Sequence, residues 1–180
     1  LVLLATILVF FAHNMINDYL IQIITPLGGT EKHIGYATSM AALIELPTMA
    51  FFLRMTKKIP CERLLLLSTM FFTVKVLLLF LADGIGGVFV SQFCQIAAYA
   101  LFIPASAYYA SRVMERLDQV KGQAYVNCAI TLSGVFSGLI CGRILDMAGP
   151  KIMLACGTAA SFLGTVLAAL AINAKKDEKK

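Results

Sequence analysis

Three ionisable residues interrupt long apolar stretches of this chain: Asp18, Glu45 and Lys75. A charge at the centre of a membrane helix costs roughly 2.5–3.5 kcal/mol on insertion scales, so such residues normally face a cavity or a partner. A helix rise of about 1.5 Å per residue puts Asp18 roughly 10 Å, Lys75 about 12 Å and Glu45 about 17 Å below the predicted outer boundary. These similar depths predict one shared, charge-compensated cavity.

A carboxyl group in such a cavity can couple a proton to another event. Burial favours its protonated form, whereas a nearby ammonium group favours its ionised form. A carboxylate that loses and regains Lys75 as its partner would therefore change its proton affinity. Glu45 is the preferred acid because it is the deepest and because Pro47 follows it, and a proline ring disrupts helical hydrogen bonding. A static ion pair between helices is an equally weighted alternative.

The first apolar stretch also carries a polar face at spacings of three and four residues, made by Asn14, Asn17, Asp18 and Gln22. Residues at these spacings lie on one side of a helix. Amides and carboxylates offer both donors and acceptors, which suits a hydroxyl-rich or nucleoside-like solute. The face is therefore predicted to bind solute, with an interhelical hydrogen-bonded seam as the alternative.

A later apolar stretch offers two further candidates for the same surface. Gln95 and Tyr99 lie one helical turn apart, and the ring of Tyr99 could stack against a sugar or a base. His13, beside the polar face of the first stretch, is interpreted as a hydrogen-bonded structural histidine. No residue is predicted to be catalytic, and no cofactor or metal is expected.

The elements that must position these residues are transmembrane helices. The chain is 59% hydrophobic and 14% charged, against roughly 45–50% and about 25% in ordinary soluble domains. Crossing a bilayer takes about 20 apolar residues in a helix. Six spans are predicted between Gly- and Pro-containing breaks: 2–25, 34–55, 64–82, 88–112, 123–142 and 152–173. The expected fold is an all-α polytopic membrane protein, with a six-helix bundle over 1–173 and a charged tail over 174–180.

The distribution of positive charge predicts the orientation. Eleven of the 15 Lys/Arg residues lie at every second break, in three clusters: Arg54, Lys57, Lys58 and Arg63; Arg112, Arg116 and Lys121; Lys175, Lys176, Lys179 and Lys180. Because Lys/Arg-rich loops stay cytoplasmic, both ends of this segment are predicted in the cytoplasm, in a plasma or bacterial inner membrane. Contact with anionic lipid accounts for the net charge of +5, so no nucleic-acid partner is expected.

Small residues in the last two spans predict close helix packing. Gly134, Gly138 and Gly142 form two consecutive Gly-x-x-x-Gly units, and Ala160 with Gly164 marks a similar face. Such spacing lets another helix backbone approach closely. Both faces are interpreted as structural.

Several motifs resemble one transporter family. IGYATSM at 34–40, MAFF at 49–52 and LLLLS at 64–68 resemble the carboxy-terminal half of lactose permease and its relatives. Those are the oligosaccharide and nucleoside proton symporters of the major facilitator superfamily. KGQA at 121–124 looks like the superfamily's Arg-Gly-x-Ala element, and GRILDMAGPK at 142–151 looks like its Gly-x-x-x-Asp-x-x-Gly-x-Lys loop. The resemblance implies twelve helices in the intact protein, of which these are the last six.

The same resemblance implies a function. It suggests secondary active transport of a small polar solute by alternating access, with the solute between this half and the amino-terminal six helices. Lys75 stands where lactose permease has an essential arginine. Tyr99 and Phe102, however, stand at the positions of its proton-coupling histidine and glutamate, so that coupling chemistry cannot be carried over. Proton symport of a sugar- or nucleoside-like molecule is the preferred expectation.

Other functions remain open at this stage. Proton-antiport efflux of drugs or sugars is the alternative within transport, and a non-transporting receptor or regulatory membrane protein is the alternative outside it. A rhomboid-type serine protease would need a Gly-x-Ser-x-Gly motif. Ser137 lies one place away from the required position between its flanking glycines, which disfavours that enzyme.

Overall fold

The computed structural model describes residues 1–114 and 118–177, with side chains as far as residue 174. The helices in chain order are α1 (Val2–Asp18), α2 (Leu20–Ile24), α3 (Glu31–Thr56), α4 (Cys61–Phe80), α5 (Ile85–Phe93) and α6 (Tyr99–Val113). A final helical stretch, Gln119–Asp177, is broken at Gly149, and its parts 119–148 and 150–177 are called α7 and α8. The all-α prediction is confirmed, since no strand occurs in these described ranges.

Four helical stretches are long and apolar enough to cross a membrane, or five when α1 and the bent segment after it count as one span. The stretch formed by α7 and α8 counts once in that number. Its break is far shorter than the predicted loop between 142 and 152, because only Gly149 leaves helical geometry. Gly149 has a φ of 80°, a left-handed conformation that glycine adopts without steric cost. Pro150, whose fixed φ suits a first helical position, then begins α8.

Two predicted spans are interrupted at places where the sequence contains neither Gly nor Pro. The span predicted over 2–25 bends by 72° between Val2–Asp18 and Leu20–Leu27. The span predicted over 88–112 unwinds into a 3₁₀ turn at Cys94–Ile96, and Ala98 then departs from helical geometry before α6 begins. The first break directly follows Asp18, and the second contains Gln95, both of them candidate site residues.

Side-chain contacts fix the direction of each helix. Asn14 meets Ser133 and Tyr19 meets Gly138, so α1 and α7 run in the same direction. Gly164 instead lies against Val9, and Gly157 against Met15, so α8 runs opposite to α1. Since α7 and α8 are antiparallel, the chain reverses at Gly149.

One end of the bundle collects most of the positive charge. Val2, Leu65, Phe102 and Ile172 line the same small cavity, so both ends of the described chain lie at this level. The α3–α4 connection and the end of α6 lie there as well, with Arg54, Lys57, Lys58, Arg63 and Arg112. Of the predicted basic clusters, Arg116, Lys179, Lys180 and the side chains of Lys175 and Lys176 lie outside the described residues.

The apolar interior forms two clusters, one nearer each end of the bundle. Phe10 and Phe72 belong to the cluster at the basic end, and Met15 and Val76 belong to the other. His13 falls between the two clusters along α1, and Lys75 falls between them along α4. The polar residues of interest therefore lie near mid-height.

Candidate functional site

Lys75 is the most deeply buried charged side chain described, with 1% of its surface exposed. Its Nζ donates a hydrogen bond to Gln95 Oε1 over 2.6 Å. In the described parts of the chain, the one carboxylate within 4.0 Å of a cationic nitrogen is Asp118, which pairs with Lys121 at the surface. The buried ammonium of Lys75 is therefore held by a neutral amide rather than by an ion pair.

Of the two acids predicted to share a cavity with Lys75, the structure brings only Glu45 near it. Glu45 is half-buried on α3, and its charge acts on Lys75 from beyond ion-pair distance. Asp18 is exposed, and its charge acts on Tyr19 and Cys141, towards α7. The similar depths predicted from the sequence did not reveal that Asp18 lies on a different side of α1 from Lys75.

His13 occupies the centre of the same region and is hydrogen-bonded, as the sequence interpretation expected. Its ring is 5% exposed and stacks on Tyr99 with centroids 5.4 Å apart and planes inclined by 27°. Phe10 and Phe72 meet it edge-on at 5.7 and 5.2 Å. His13 and Lys75 are also close enough for their charges to interact. The i, i+4 spacing of His13 and Asn17 was the available signal.

The hydrogen bonds of His13 leave one ring nitrogen unused. Asn17 Nδ2 lies 3.1 Å from His13 Nε2, and an amide NH₂ can only donate. His13 Nδ1 is buried and has no hydrogen-bonding partner among the described residues. We call His13, Asn17, Lys75, Gln95 and Tyr99 the charged interface.

The predicted polar face of α1 is divided by the structure. Asn17 points towards the charged interface. Asn14 instead donates to Ser133 Oγ over 2.9 Å and so joins α1 to α7. Gln22 lies beyond the 72° bend and is exposed. Asn14 and Asn17 thus contact different neighbours. The reason is that α4 and α6 pack against one side of α1, and α7 packs against another side.

The α-helix of the fourth span gives way to a 3₁₀ turn where it meets Lys75. Gln95 lies within the 3₁₀ turn Cys94–Ile96, and Tyr99 begins the next helix. Non-helical backbone at membrane depth is tolerated where it is buried in protein or lines a cavity. Discontinuous helices of this kind commonly form solute and ion sites in transporters.

A second polar contact region joins α4 to α8 through hydroxyl groups. Thr73 Oγ1 lies 3.0 Å from both Ser161 Oγ and Thr165 Oγ1. Thr165 also donates to the backbone oxygen of Thr69 over 2.9 Å. Each of these hydroxyl groups has a hydrogen-bonding partner among the others. We call Thr69, Thr73, Ser161 and Thr165 the hydroxyl interface.

Close packing is observed on α8 and only in part on α7. A Cβ atom on Gly164 would lie 3.0 Å from the backbone oxygen of Ala5, as a close backbone approach requires. On α7, Gly134 and Gly142 face side chains, those of Asn14 and Tyr19. The prediction for Gly138 is wrong, since a Cβ there would meet open space. Its carbonyl oxygen accepts a hydrogen bond from Tyr19 over 2.7 Å.

An apolar exterior around a buried polar centre defines the class of this protein. On α3, Tyr36, Leu43 and Leu46 are each more than 60% exposed, which suits lipid or further helices better than water. The chain is an integral membrane protein with an all-α bundle. Residues 2–180 match the family model of the Major Facilitator Superfamily, and the chain belongs to that superfamily. Its members are membrane transporters, not enzymes.

One relative carries a more specific name. The chain is 25% identical over 132 residues to a protein of Deinococcus radiodurans named "Putative sugar efflux transporter". The match covers 72% of this chain and 33% of the relative. The chain thus spans about a third of the length of the curated relative it matches.

Proposed function

We propose that this chain is part of a secondary active transporter that moves a small polar solute, sugar- or nucleoside-like, by alternating access. The observation that carries the proposal is the charged interface: a buried lysine, a helix interrupted by a 3₁₀ turn and a stacked His–Tyr pair within an apolar bundle. A charge at this depth is costly unless it serves a partner or a pathway. Membership of a transporter superfamily supports the pathway.

The solute site is proposed around the 3₁₀ turn Cys94–Ile96 of the fourth span. Gln95, Asn17 and Tyr99 would supply amide hydrogen bonds and an aromatic face, which together suit a hydroxylated ring. Asn14, Asp18 and Gln22 lie on other sides of α1 and its bent continuation. We retain these three as a second wall, reached when the helices rearrange.

Coupling is proposed to depend on an exchange of partners by Lys75. In the described conformation Gln95 holds the ammonium group, while Glu45 remains outside ion-pair distance. A conformation that brings Glu45 to Lys75 would favour the ionised carboxylate, and separation would favour proton binding. Asp18 stays a candidate second acid through its exposed position near α7. Proton symport is the preferred form of coupling.

The membrane arrangement follows from charge and exposure. The basic end of the bundle is proposed to face the cytoplasm of a plasma or bacterial inner membrane, with both ends of this segment on that side. The exposed apolar face of α3 is proposed to contact lipid or the amino-terminal six helices of the same protein. The solute would bind between the two halves.

The test uses the full-length protein in liposomes. Counterflow of labelled sugars and nucleosides, with and without an imposed pH gradient, should show saturable uptake that the gradient increases. Lys75→Gln should remove the response to the gradient, because the buried charge is lost. Lys32→Gln, a matched change on the exposed first turn of α3, should behave like the unaltered protein.

A second candidate function is efflux by proton antiport, favoured by the name of the Deinococcus radiodurans relative. The same liposomes separate the two, since symport moves solute down the imposed proton gradient and antiport moves it against that gradient. Absence of counterflow for every solute would instead favour a receptor or regulatory membrane protein.

A further inference from the structure

The charged interface contains more hydrogen-bond donors than acceptors. A lysine ammonium carries three N–H donors, and Lys75 uses one of them on Gln95. No other acceptor within hydrogen-bonding distance of its Nζ is found among residues 1–114 and 118–177. Two donors on a positively charged group, nearly all of it buried, therefore have no protein partner in this conformation.

His13 adds a third donor to the same set. Its Nε2 faces the NH₂ group of Asn17 and must act as the acceptor. A neutral imidazole has one donor and one acceptor nitrogen, so the proton lies on Nδ1. That nitrogen is buried without a partner, on a ring whose position is fixed by Tyr99, Phe10 and Phe72.

We propose that these donors bind an anionic oxygen carried by the solute, a carboxylate or a phosphate attached to a sugar-like or nucleoside-like body. The inference rests on the proposed transport function and names the class of its substrate. Lys75 would supply the opposite charge, and His13 Nδ1–H would supply a directed hydrogen bond. Tyr99 and Asn17 would contact the neutral body of the same molecule.

An anion fits this place better than a neutral hydroxyl group. Leaving a buried donor unsatisfied costs about 1–3 kcal/mol, and more when the donor is charged. A hydroxyl oxygen could accept from one or two donors but would leave the charge of Lys75 unbalanced. A carboxylate or phosphate has several acceptor positions and balances the charge. Glu45, the nearest acid whose charge acts on Lys75, is not within ion-pair distance.

The test compares solutes that share a body and differ in charge. Binding to the full-length protein in lipid nanodiscs would be measured by calorimetry for glucose, glucuronate and glucose 6-phosphate, and for uridine and uridine 5′-monophosphate. In at least one series the anion should bind about tenfold or more tightly than its neutral counterpart, as a charge-assisted hydrogen bond implies. Carboxylate and phosphate are distinguished by the glucuronate and glucose 6-phosphate measurements.

Four variants locate the effect. Lys75→Gln should abolish the preference for the anion, and Lys75→Arg should retain most of it. His13→Phe keeps a ring against Tyr99 but removes the N–H, so it should lower the ratio of anion affinity to neutral affinity severalfold. Glu45→Gln should keep the preference, because the solute oxygen is proposed to bind Lys75 directly.

The outcomes separate this inference from the proposed function. Equal binding of neutral and anionic solutes, with transport intact, would overturn the inference alone. Inorganic phosphate binding as tightly as glucose 6-phosphate would also overturn it, because the body would then contribute nothing. Failure of every solute to bind or to be transported would overturn the proposed function and the inference with it.

Discussion

The charged interface and the hydroxyl interface both include residues of α4. They differ in how far their polar groups are satisfied by hydrogen bonds. Thr73 has two hydroxyl partners on α8, and Thr165 continues the chain of hydrogen bonds to Thr69. Among the described residues, Lys75, two residues after Thr73, has one neutral partner, and His13 beside it has a donor with none. One side of α4 is thus saturated within the protein, and the other side is not.

The difference indicates how to separate structure from function in an apolar bundle. Hydroxyl groups that hydrogen-bond to one another hold helices together and require no ligand as a partner. Buried donors without acceptors add to the free energy of the folded state, so their presence calls for another component that completes them. Changes on the two sides of α4 should therefore have different consequences.

The largest effect is expected at Glu45. Glu45→Gln should abolish proton-driven accumulation while sparing solute exchange, because the amide cannot gain or lose the proton that coupling requires. Accumulation and exchange are both measured in liposomes with an imposed pH gradient. Glu31→Gln, at the exposed start of α3, is the control, and unchanged accumulation in Glu45→Gln would end the assignment.

Gln95→Leu should lower the free energy of unfolding by about 1.5–3 kcal/mol, since it removes the hydrogen bond to a buried charge. The double variant Gln95→Leu with Lys75→Met should recover most of that loss, because no unpaired ammonium remains. Denaturation of the purified protein measures both. A double variant no more stable than the single one would show that Gln95 acts through packing instead.

Gly164→Ala should destabilise the protein by about 1–3 kcal/mol, the usual cost of overpacking. Its Cβ would lie 2.8 Å from Val9 and 3.0 Å from the backbone oxygen of Ala5, and backbone cannot easily give way. Gly138→Ala is the matched control on α7, with no neighbour within 4 Å. Thermal unfolding should separate the two, and similar midpoints would contradict the close approach of α1 and α8.

The smallest effect is expected at Thr73. Thr73→Val should cost about 0.6 kcal/mol, the average measured for interhelical hydrogen bonds in a membrane protein, and should leave solute affinity unchanged. Thr38→Val is the control, because that hydroxyl bonds only to the backbone of its own helix. A change in solute affinity without a change in stability would place Thr73 on the functional side of α4.

Composition and turn residues predicted the helical class and the reversal at Gly149-Pro150, because apolar length and backbone restriction are local properties. Depth counting also brought Glu45 and Lys75 to similar levels. It failed to separate Asp18 from them, since depth along a helix says nothing about which neighbour a side chain faces. That direction depends on packing, which is not local in sequence.

The breaks near the site could not be predicted for a related reason. Residues 94–98 contain no Gly or Pro, so helix propensity favours a continuous span there. The 3₁₀ turn instead contains Gln95, whose side chain accepts a hydrogen bond from Lys75 of α4. The position of His13 beside Tyr99 and Lys75 could not be predicted on the same ground, because both residues lie far away in sequence.

A single residue, Gly149, connects the last two spans, so no flexible loop lies between them. Because one residue alone separates the two helices, a shift of the end of α7 should carry the first turn of α8 with it. Since Thr165 of α8 is hydrogen-bonded to Thr73 of α4, we expect such a shift to be felt by the helix that carries Lys75.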